Sequence, residues 1–471
     1  MSASHSRREK IFAILIGIFI IAAGIRGIYF AKQWSVWWDE TVYLSMADAF
    51  AGNNYFVEYF RPPLLPFMLY LFGTVAGISV ASGKLFSILL SMATVAVAYL
   101  LIRKILDKEK ALIVAFLFAI NFHSIFYSTR ILAETPAIFF SILSLGFFYL
   151  ACEKKSDKYA MLSGIFIGLG MMAKHALAYF APVVVLYLFL TTKFKFLRDR
   201  RTYIIGLLTL AVLSPWLVFN WIQFGNPLWA QILNYKVTEE STHFATYQLQ
   251  DTLFYLINFP EFVGITGIFL LFALGVKKIK KDKFLMLNWL TIAVGIIALS
   301  LLSHKEARFM IMVLPSIIIL EAIGIHNFIS MLDAKSRKNA LALILFALAI
   351  FSFLTFIEKP GDSESLIYKC NDAIAKLPNE AMSTTMQPYF SFINKRYFDQ
   401  LPWDYNNFTC DEISWKGYNY SIYYSAGWYH TIEANFISAT ASCTELIENI
   451  TEVSPYGRSL DQKCLIFRIK R

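Results

Sequence analysis

The sequence predicts a mainly α, polytopic membrane protein of about eleven transmembrane helices with added interfacial helices, followed by a small external α/β domain. Three observations lead there. Of the 471 residues 57% are hydrophobic, and apolar runs recur at the ~20-residue length that crosses a bilayer core. Basic residues concentrate in alternate short connections between those runs. From about residue 358 polar residues rise and alternating segments replace the long apolar ones.

Crossings are expected near 11–31, 81–102, 110–127, 134–152, 159–174, 176–192, 202–222, 255–276, 284–302, 308–330 and 339–357. The connections on one side carry Arg7, Arg8 and Lys10, then Arg103, Lys104, Lys108 and Lys110, then Lys154, Lys155 and Lys158. Further basic groups on that side run from Lys193 to Arg201, Lys277 to Lys283 and Lys335 to Lys338. This alternation places the N-terminus in the cytoplasm and, after an odd number of crossings, the C-terminal segment outside. The first run is long and Gly24-Ile25-Arg26-Gly27 does not read as a cleavage site, so no cleaved signal peptide is expected. The net charge of +10 therefore reports topology, and nucleic acid is not an expected partner.

Four outward segments have more character than turns. The first, about 32–80, carries Trp34, Trp37, Trp38, Asp39 and Glu40, then Arg61-Pro62-Pro63 and an apolar stretch to Ile78. Two helices lying along the interface are expected there, with the tryptophans at headgroup level. The second runs from Ser128 to Pro136 and holds Arg130 and Glu134; proline suits the first turn of the following helix. The third, about 223–254, holds Glu239, Glu240, His243 and Asp251. The fourth is His304-Lys305-Glu306-Ala307-Arg308-Phe309. Four outward segments can meet over one cavity.

The expected domains are a transmembrane catalytic part, 1–357, and an extracytoplasmic α/β domain, 358–471. In the latter, 419–424 and 464–469 read as strands and 362–376 and 442–449 as helices. Cys370, Cys410, Cys443 and Cys464 form an even set in an oxidising location, so two disulfides are expected in one of three pairings, with Cys152 left alone at a cytoplasmic helix end. Sequons at Asn407, Asn419 and Asn449 all fall outside the expected cytoplasmic loops.

The outward charges carry the chemistry. Asp39 and Glu40 could be a solvated acidic pair, but beside a membrane and among tryptophans they repel one another and lose solvation, conditions that suit a general base. Arg61 before two prolines could touch lipid headgroups; its guanidinium fork equally suits a phosphate. Arg130 and Glu134, one helical turn apart, could form an ordinary exposed pair; otherwise Glu134 is a second acidic group of the site and Arg130 another anion contact. Lys305 and Arg308 could be snorkelling anchors, yet with His304 and Glu306 they make four ionisable residues in five positions on the side where cations are normally scarce. That density points to a bound anion.

The segments WWDETVY, RPPLLPFMLY, TRILAETP and HKEARFMIMVLP together resemble the GT-C superfamily of membrane glycosyltransferases. The N-terminal part is similar to the protein O-mannosyltransferases and lipid A aminoarabinose transferases, and HKEARF is similar to the HKExRF signature of dolichol-phosphate-mannose-dependent mannosyltransferases. The likeness covers roughly residues 1–357. It implies a GT-C-like fold and an inverting transfer of a sugar, mannose or another hexose first, from a polyprenyl- or dolichyl-phosphate donor to a hydroxyl acceptor on a protein, glycan or lipid at the external face. By the same resemblance Asp39 is the base, Glu40 its neighbour, Arg61 a contact to the donor phosphate, and Lys305 and Arg308 the rest of the phosphate clamp, with His304 and Glu306 in support. Phe60 stands where the aminoarabinose transferases carry an acidic residue, which argues against a metal ligand at that position. No metal-binding residue is assigned, no cofactor is required, and dependence on a divalent metal is left open.

Two rivals from other classes fit less of the pattern, a transporter and a non-catalytic scaffold or receptor. The latter would use the external domain to bind a partner and would not require Asp39, Arg61 and Lys305 together. A transporter needs a polar path, and Glu321, His326, Arg26 and Asn220 are scattered among the spans. A ligase or polymerase using a lipid-diphosphate donor is the nearest alternative within enzymes.

Overall fold

A computed structural model describes residues 2–32, 36–54, 56–244, 252–274, 282–302, 305–358, 365–384, 387–395, 397–400, 410, 418–424, 440–452 and 462–470. The chain divides into two compact units: Met1–Tyr29, Tyr59–Leu65 and Lys84–Ile357 form one, and Phe30–Glu58, Pro66–Gly83 and Glu358–Arg471 the other.

The helices in chain order begin with α1 (Ser2–Lys32), α2 (Trp38–Phe50), α3 (Leu64–Ala76), α4 (Val80–Ile105), α5 (Lys108–Ile120), α6 (Phe122–Ser128), α7 (Glu134–Glu153), α8 (Asp157–Ala173), α9 (Phe180–Thr192) and α10 (Arg200–Phe224). Trp229–Phe244, Phe254–Val263, Ile268–Ala273, Lys283–Ser300, Leu314–Ser330 and Arg337–Glu358 follow. Among the described residues eight helices are long and apolar enough to cross a membrane, or nine if α5 and α6, bent by 52°, make one span. The protein is a multi-pass membrane protein. Three expected crossings account for the difference from eleven. Asn121 breaks the 110–127 run by ending α5 and capping α6, its Oδ1 accepting from Ser124 N–H at 3.0 Å. The 308–330 run starts as a 3₁₀ turn, Ala307–Met312, which leaves a helix of 17 residues. Helix α8 is also 17 residues, ~26 Å at 1.5 Å per residue and short of a ~30 Å hydrocarbon core.

Inside the first unit, α8 meets α10 through Gly164 and Gly168. A Cβ at Gly164 would stand 2.6 Å from the Ile205 carbonyl oxygen, and one at Gly168 2.7 Å from Val212 Cβ, so this spacing of small residues admits the neighbouring backbone. Thr209 Oγ1 donates to the Gly164 carbonyl at 3.1 Å across that contact. The same helix α10 leaves Leu207, Trp221 and Ile222 largely exposed, the outward apolar surface of a helix that meets lipid.

The break between α5 and α6 leaves carbonyls without helical partners, in a place where water is scarce. Arg26 of α1 closes that gap. Its Nη1 donates to the Ala119 carbonyl at 2.9 Å and the Ala22 carbonyl at 3.2 Å. Its Nη2 donates to the Phe118 carbonyl at 3.3 Å and Ser124 Oγ at 3.1 Å, and its Nε to Ser91 Oγ at 3.0 Å. Ser352 Oγ donates to the next carbonyl, Ile120, at 2.7 Å. Two of the other transporter candidates are engaged by neighbours: Glu321 Oε1 accepts from Thr266 Oγ1 at 2.8 Å, and Asn220 Nδ2 donates to the Pro227 carbonyl at 3.4 Å.

The second unit holds a five-stranded sheet of β1 (Met382–Thr384), β2 (Asp399–Gln400), β3 (Tyr420–Tyr424), β4 (Thr444–Glu452) and β5 (Gln462–Ile469), in the order β2-β1-β3-β5-β4. Strand β1 runs parallel to β2 and β3, while β5 is antiparallel to β3 and β4. The 442–449 segment, expected as a helix, is therefore largely strand β4. Leu446, Ile447 and Ile450 fit a helical stripe as well as a strand, and a bulge between Leu446 and Glu448 absorbs the doubled apolar pair so that Ile447 and Ile450 pack on the core. The helix expected at 362–376 is present as Ser365–Ala375. Disulfides join Cys370 to Cys464 and Cys410 to Cys443, and Cys152 is free.

This unit takes in more chain than the composition change at 358 indicates. Val36 is buried in one core cluster with Leu366, Ile367, Phe390, Ile422 and Ile466, and Trp38 and Val80 pack against it. The two helices expected between 32 and 80 are α2 and α3. A composition scan sees only local sequence, whereas Val36 joins residues more than three hundred positions away.

Candidate active site

The first unit gathers charge where α6 turns into α7. Tyr127, on α6, lies within electrostatic reach of Glu134, Arg308, Glu306 and Arg130 together. Arg130 is fully buried, its guanidinium 5.8 Å from the Phe126 ring centre, and its N–H donates to the Tyr127 carbonyl at 3.2 Å. Thr135 Oγ1 donates to that same carbonyl at 2.8 Å, which fixes the turn. Glu134 opens α7 with Pro136 two residues on.

Glu134 takes a partner that the sequence reading missed. Lys174 Nζ donates to Glu134 Oε1 at 2.6 Å, with both side chains largely buried. Lys174 is the extended residue that ends α8, before the 3₁₀ turn His175–Tyr179. A lysine between two apolar runs carries the same signal as the 304–308 segment, but it was absorbed into the end of an expected span.

The second ion pair comes from the 304–309 segment. Arg308 pairs with Glu306: its Nη2 donates to Oε1 at 2.9 Å, and its Nε stands 2.6 Å from Oε2 as an ion-pair contact. Glu306 N–H donates to Tyr255 Oη at 3.3 Å. Tyr179 Oη and Ser141 Oγ donate to the Met312 carbonyl at 3.1 and 3.0 Å, so the 3₁₀ turn is held at both ends. Phe309 links the two pairs: Lys174 Nζ stands 5.4 Å from its ring centre and the Arg308 guanidinium 5.8 Å. Arg130, Lys174 and Arg308 outnumber Glu134 and Glu306, so these five side chains carry an excess of positive charge in a partly water-excluded place.

The remaining expected residues are placed as follows. Lys305 Nζ donates to the Leu302 carbonyl at 2.6 Å, a helix-end contact of the kind a snorkelling lysine makes. Arg61 is half-buried beside the Phe60 ring, 5.8 Å from its centre. His175 Nε2 contacts the Phe60 carbonyl at 2.8 Å, and its ring meets Trp216 at a 31° tilt with centres 5.0 Å apart, tying the Arg61 segment to the turn after Lys174. Asp39 and Glu40 belong to the second unit, in the first turn of α2. Glu40 is buried and its Oε2 accepts from Trp37 N–H at 2.7 Å, capping its own helix; Asp39 is half-buried. His304, Trp34, Asp251 and the Asn407 sequon lie outside the described residues, as do the side chains of Glu239, Glu240 and His243. Among the described residues no group of three or more His, Cys, Asp or Glu is placed to hold a metal ion.

Residues 60–219 match the family model described as Dolichyl-phosphate-mannose-protein mannosyltransferase. That span contains Arg61, Arg130, Glu134 and Lys174 and leaves Asp39 and the 304–309 segment outside it. No curated protein matches the chain by sequence. The fold is similar to that of ArnT from Cupriavidus metallidurans in the apo state, with a TM-score of 0.67 at 12% identity over 99% of this chain and 98% of that one. ArnT bound to undecaprenyl phosphate gives 0.68 at 11% identity over 98% of both chains. The archaeal oligosaccharyltransferase AglB from Archaeoglobus fulgidus, in complex with an inhibitory peptide and a dolichol-phosphate, gives 0.64 at 13% identity over 97% of this chain and 74% of that one. The chain has a GT-C-like fold shared with these structures, and the family match is confined to residues 60–219.

Proposed function

We propose that the protein is an inverting glycosyltransferase. It moves a sugar, mannose or another hexose first, from a polyprenyl- or dolichyl-phosphate donor to a hydroxyl of a protein, glycan or lipid at the external membrane face. The observation that carries this reading is the pair of ion pairs around Phe309, Lys174 with Glu134 and Arg308 with Glu306. Each carboxylate keeps a cation ordered in a poorly solvated place, and a lipid phosphate can take over the same donors. The chemistry rewards such cations at the right moment. The donor is a phosphodiester with one charge, and the departing polyprenyl phosphate carries about −1.5 to −2. Fixed cations therefore bind the leaving group more strongly as the glycosidic bond breaks, which lowers the barrier. Arg130 and Arg61 add to that field. Asp39 is the base that takes the proton of the acceptor hydroxyl, and Glu40 holds the turn that presents it. ArnT bound to undecaprenyl phosphate and AglB with dolichol-phosphate have the same fold, which supports a lipid-phosphate donor here.

The test is sugar transfer by purified protein in nanodiscs, offered mannose and glucose on a polyprenyl monophosphate, on a lipid diphosphate and on nucleotides, with Asp39→Asn as control. Consumption of the monophosphate donor alone, lost in Asp39→Asn, is the expected result. Reaction with only the diphosphate donor would replace this reading with that of a ligase.

A further inference from the structure

Helix α2 is held by the C-terminal chain at several points. Ser45 Oγ donates to the Pro388 carbonyl at 3.3 Å, at the start of the helix Gln387–Asn394. Lys395, the residue after that helix, reaches Asp48 near the end of α2, Nζ to Oδ2 at 2.6 Å. Asp48 is buried, and its other oxygen accepts from Asn53 Nδ2 at 3.1 Å. The ammonium also lies 4.2 Å from the Phe392 ring centre. Lys395 makes this contact from a left-handed backbone with φ of 52°, a conformation that glycine or asparagine adopts more cheaply at a helix end. Lys155 and Lys193 also have positive φ; Lys395 differs in pairing with a buried carboxylate on a distant helix. Val36, ahead of α2, belongs to the core cluster that Cys370 and Cys464 also enter, and Trp38, the first residue of α2, packs against it.

Asp48 lies nine residues after Asp39 on one short helix. At about 100° per residue that is half a turn away, with ~13 Å of rise between them. The side of α2 that carries Asp48 is gripped by the helix Gln387–Asn394, and the opposite side carries Asp39. We propose that Lys395 is a positioning residue for sugar transfer: through its ion pair with Asp48 it fixes the rotation and tilt of α2, and so the place of the Asp39 carboxylate. This rests on the reading of Asp39 as the base. Lys395 touches neither donor nor acceptor, and its effect belongs to the catalytic step. A displaced base lowers turnover steeply, because small errors in the approach of reacting groups are amplified.

The experiment measures kcat and donor KM for Lys395→Met, Lys395→Arg, Asp48→Asn and the double variant Lys395→Met/Asp48→Asn, with Asp39→Asn alongside, all in nanodiscs with folding checked by circular dichroism. Lys395→Met is expected to lose roughly tenfold in kcat with donor KM unchanged, Lys395→Arg to stay near the parent, and the double variant to fall no further than the worse single one. An inert Asp39→Asn beside a Lys395→Met of parental kcat would overturn the positioning role while leaving the base intact. Equal losses in kcat and folded fraction, with no recovery in Lys395→Arg, would overturn it in favour of simple destabilisation. An active Asp39→Asn would remove the base itself, a separate failure.

Discussion

Two buried cationic sites in the first unit solve opposite problems. Arg26 meets five neutral oxygens, one for each N–H it can donate, and four of those partners lie where α5 breaks and α6 begins or on the α4 serine beside it. Lys174 and Arg308 instead meet carboxylates. A guanidinium saturated by carbonyls and serine hydroxyls has nothing left to offer an incoming anion, and its removal strands the carbonyls it covers. An ammonium paired with a carboxylate holds its charge in readiness, because one anion can replace another at little cost in geometry. Burial alone therefore does not mark function; the kind of partner does.

The strongest challenge to that contrast is Lys174→Met combined with Arg308→Met. Each lost phosphate contact should cost ~3 kcal/mol of transition-state stabilisation, or more than about 100-fold in turnover per folded protein, on top of the stability lost by leaving Glu134 buried without its cation. Turnover and donor affinity at parental levels would make the two pairs structural, like Arg26. Next comes Arg26→Leu, which leaves the Phe118 and Ala119 carbonyls without their donor and should destabilise the fold by ~3 kcal/mol. The check is the melting temperature in detergent, and whatever protein stays folded should bind donor as tightly as the parent. Ser352→Ala removes one bond at the same break and should cost ~1 kcal/mol, a shift of a few degrees. A larger loss would show that the break depends on α1 less than the Arg26 geometry indicates.

The smallest effect is expected at Asp199, where a carboxylate meets a cation outside the membrane spans. Its side chain caps α10, and the hydrogen-bonded Arg201 guanidinium holds its carboxyl below the usual carboxylate range. The folded protein therefore binds that proton less readily than the unfolded chain. The resulting stability is present above the unfolded pKa of about 4 and disappears as pH falls through the lower folded value. Asp199→Asn should lower the melting temperature by no more than a degree or two at pH 7, and the gap to the parent should close in acid. A gap that persists in acid would assign the effect to cap geometry.

What the sequence revealed follows the range of its signals. Apolar length and basic loops disclosed most spans, because burial in lipid acts on each helix by itself. The break at Asn121 escaped, since one polar residue in an apolar run looks like noise until Arg26 supplies its partners from α1. Arg130, Glu134, Glu306 and Arg308 were legible as charges in the short connections between apolar runs. Lys174 carried that signal too, but is the last residue of the span expected at 159–174. Glu40 looked like half of an acidic pair, and only the geometry shows its carboxylate bonded to Trp37 N–H. Strand β4 was misread because a bulge disguises its alternation.

Val36 and Trp38 share a core with residues from Leu366 to Ile466, and this sets an order in time. The ribosome makes Val36 roughly 330 residues before Leu366, a delay on the order of twenty seconds to a minute at ordinary elongation rates. During that interval α2 has no core to join and the disulfide partner Cys464 does not yet exist. A half-made chain can insert its spans and assemble its cationic pocket, but it carries no fixed Asp39. Residues made late thus complete the surroundings of residues made early, and a chain cut before Leu366 is expected to leave Val36 without its core.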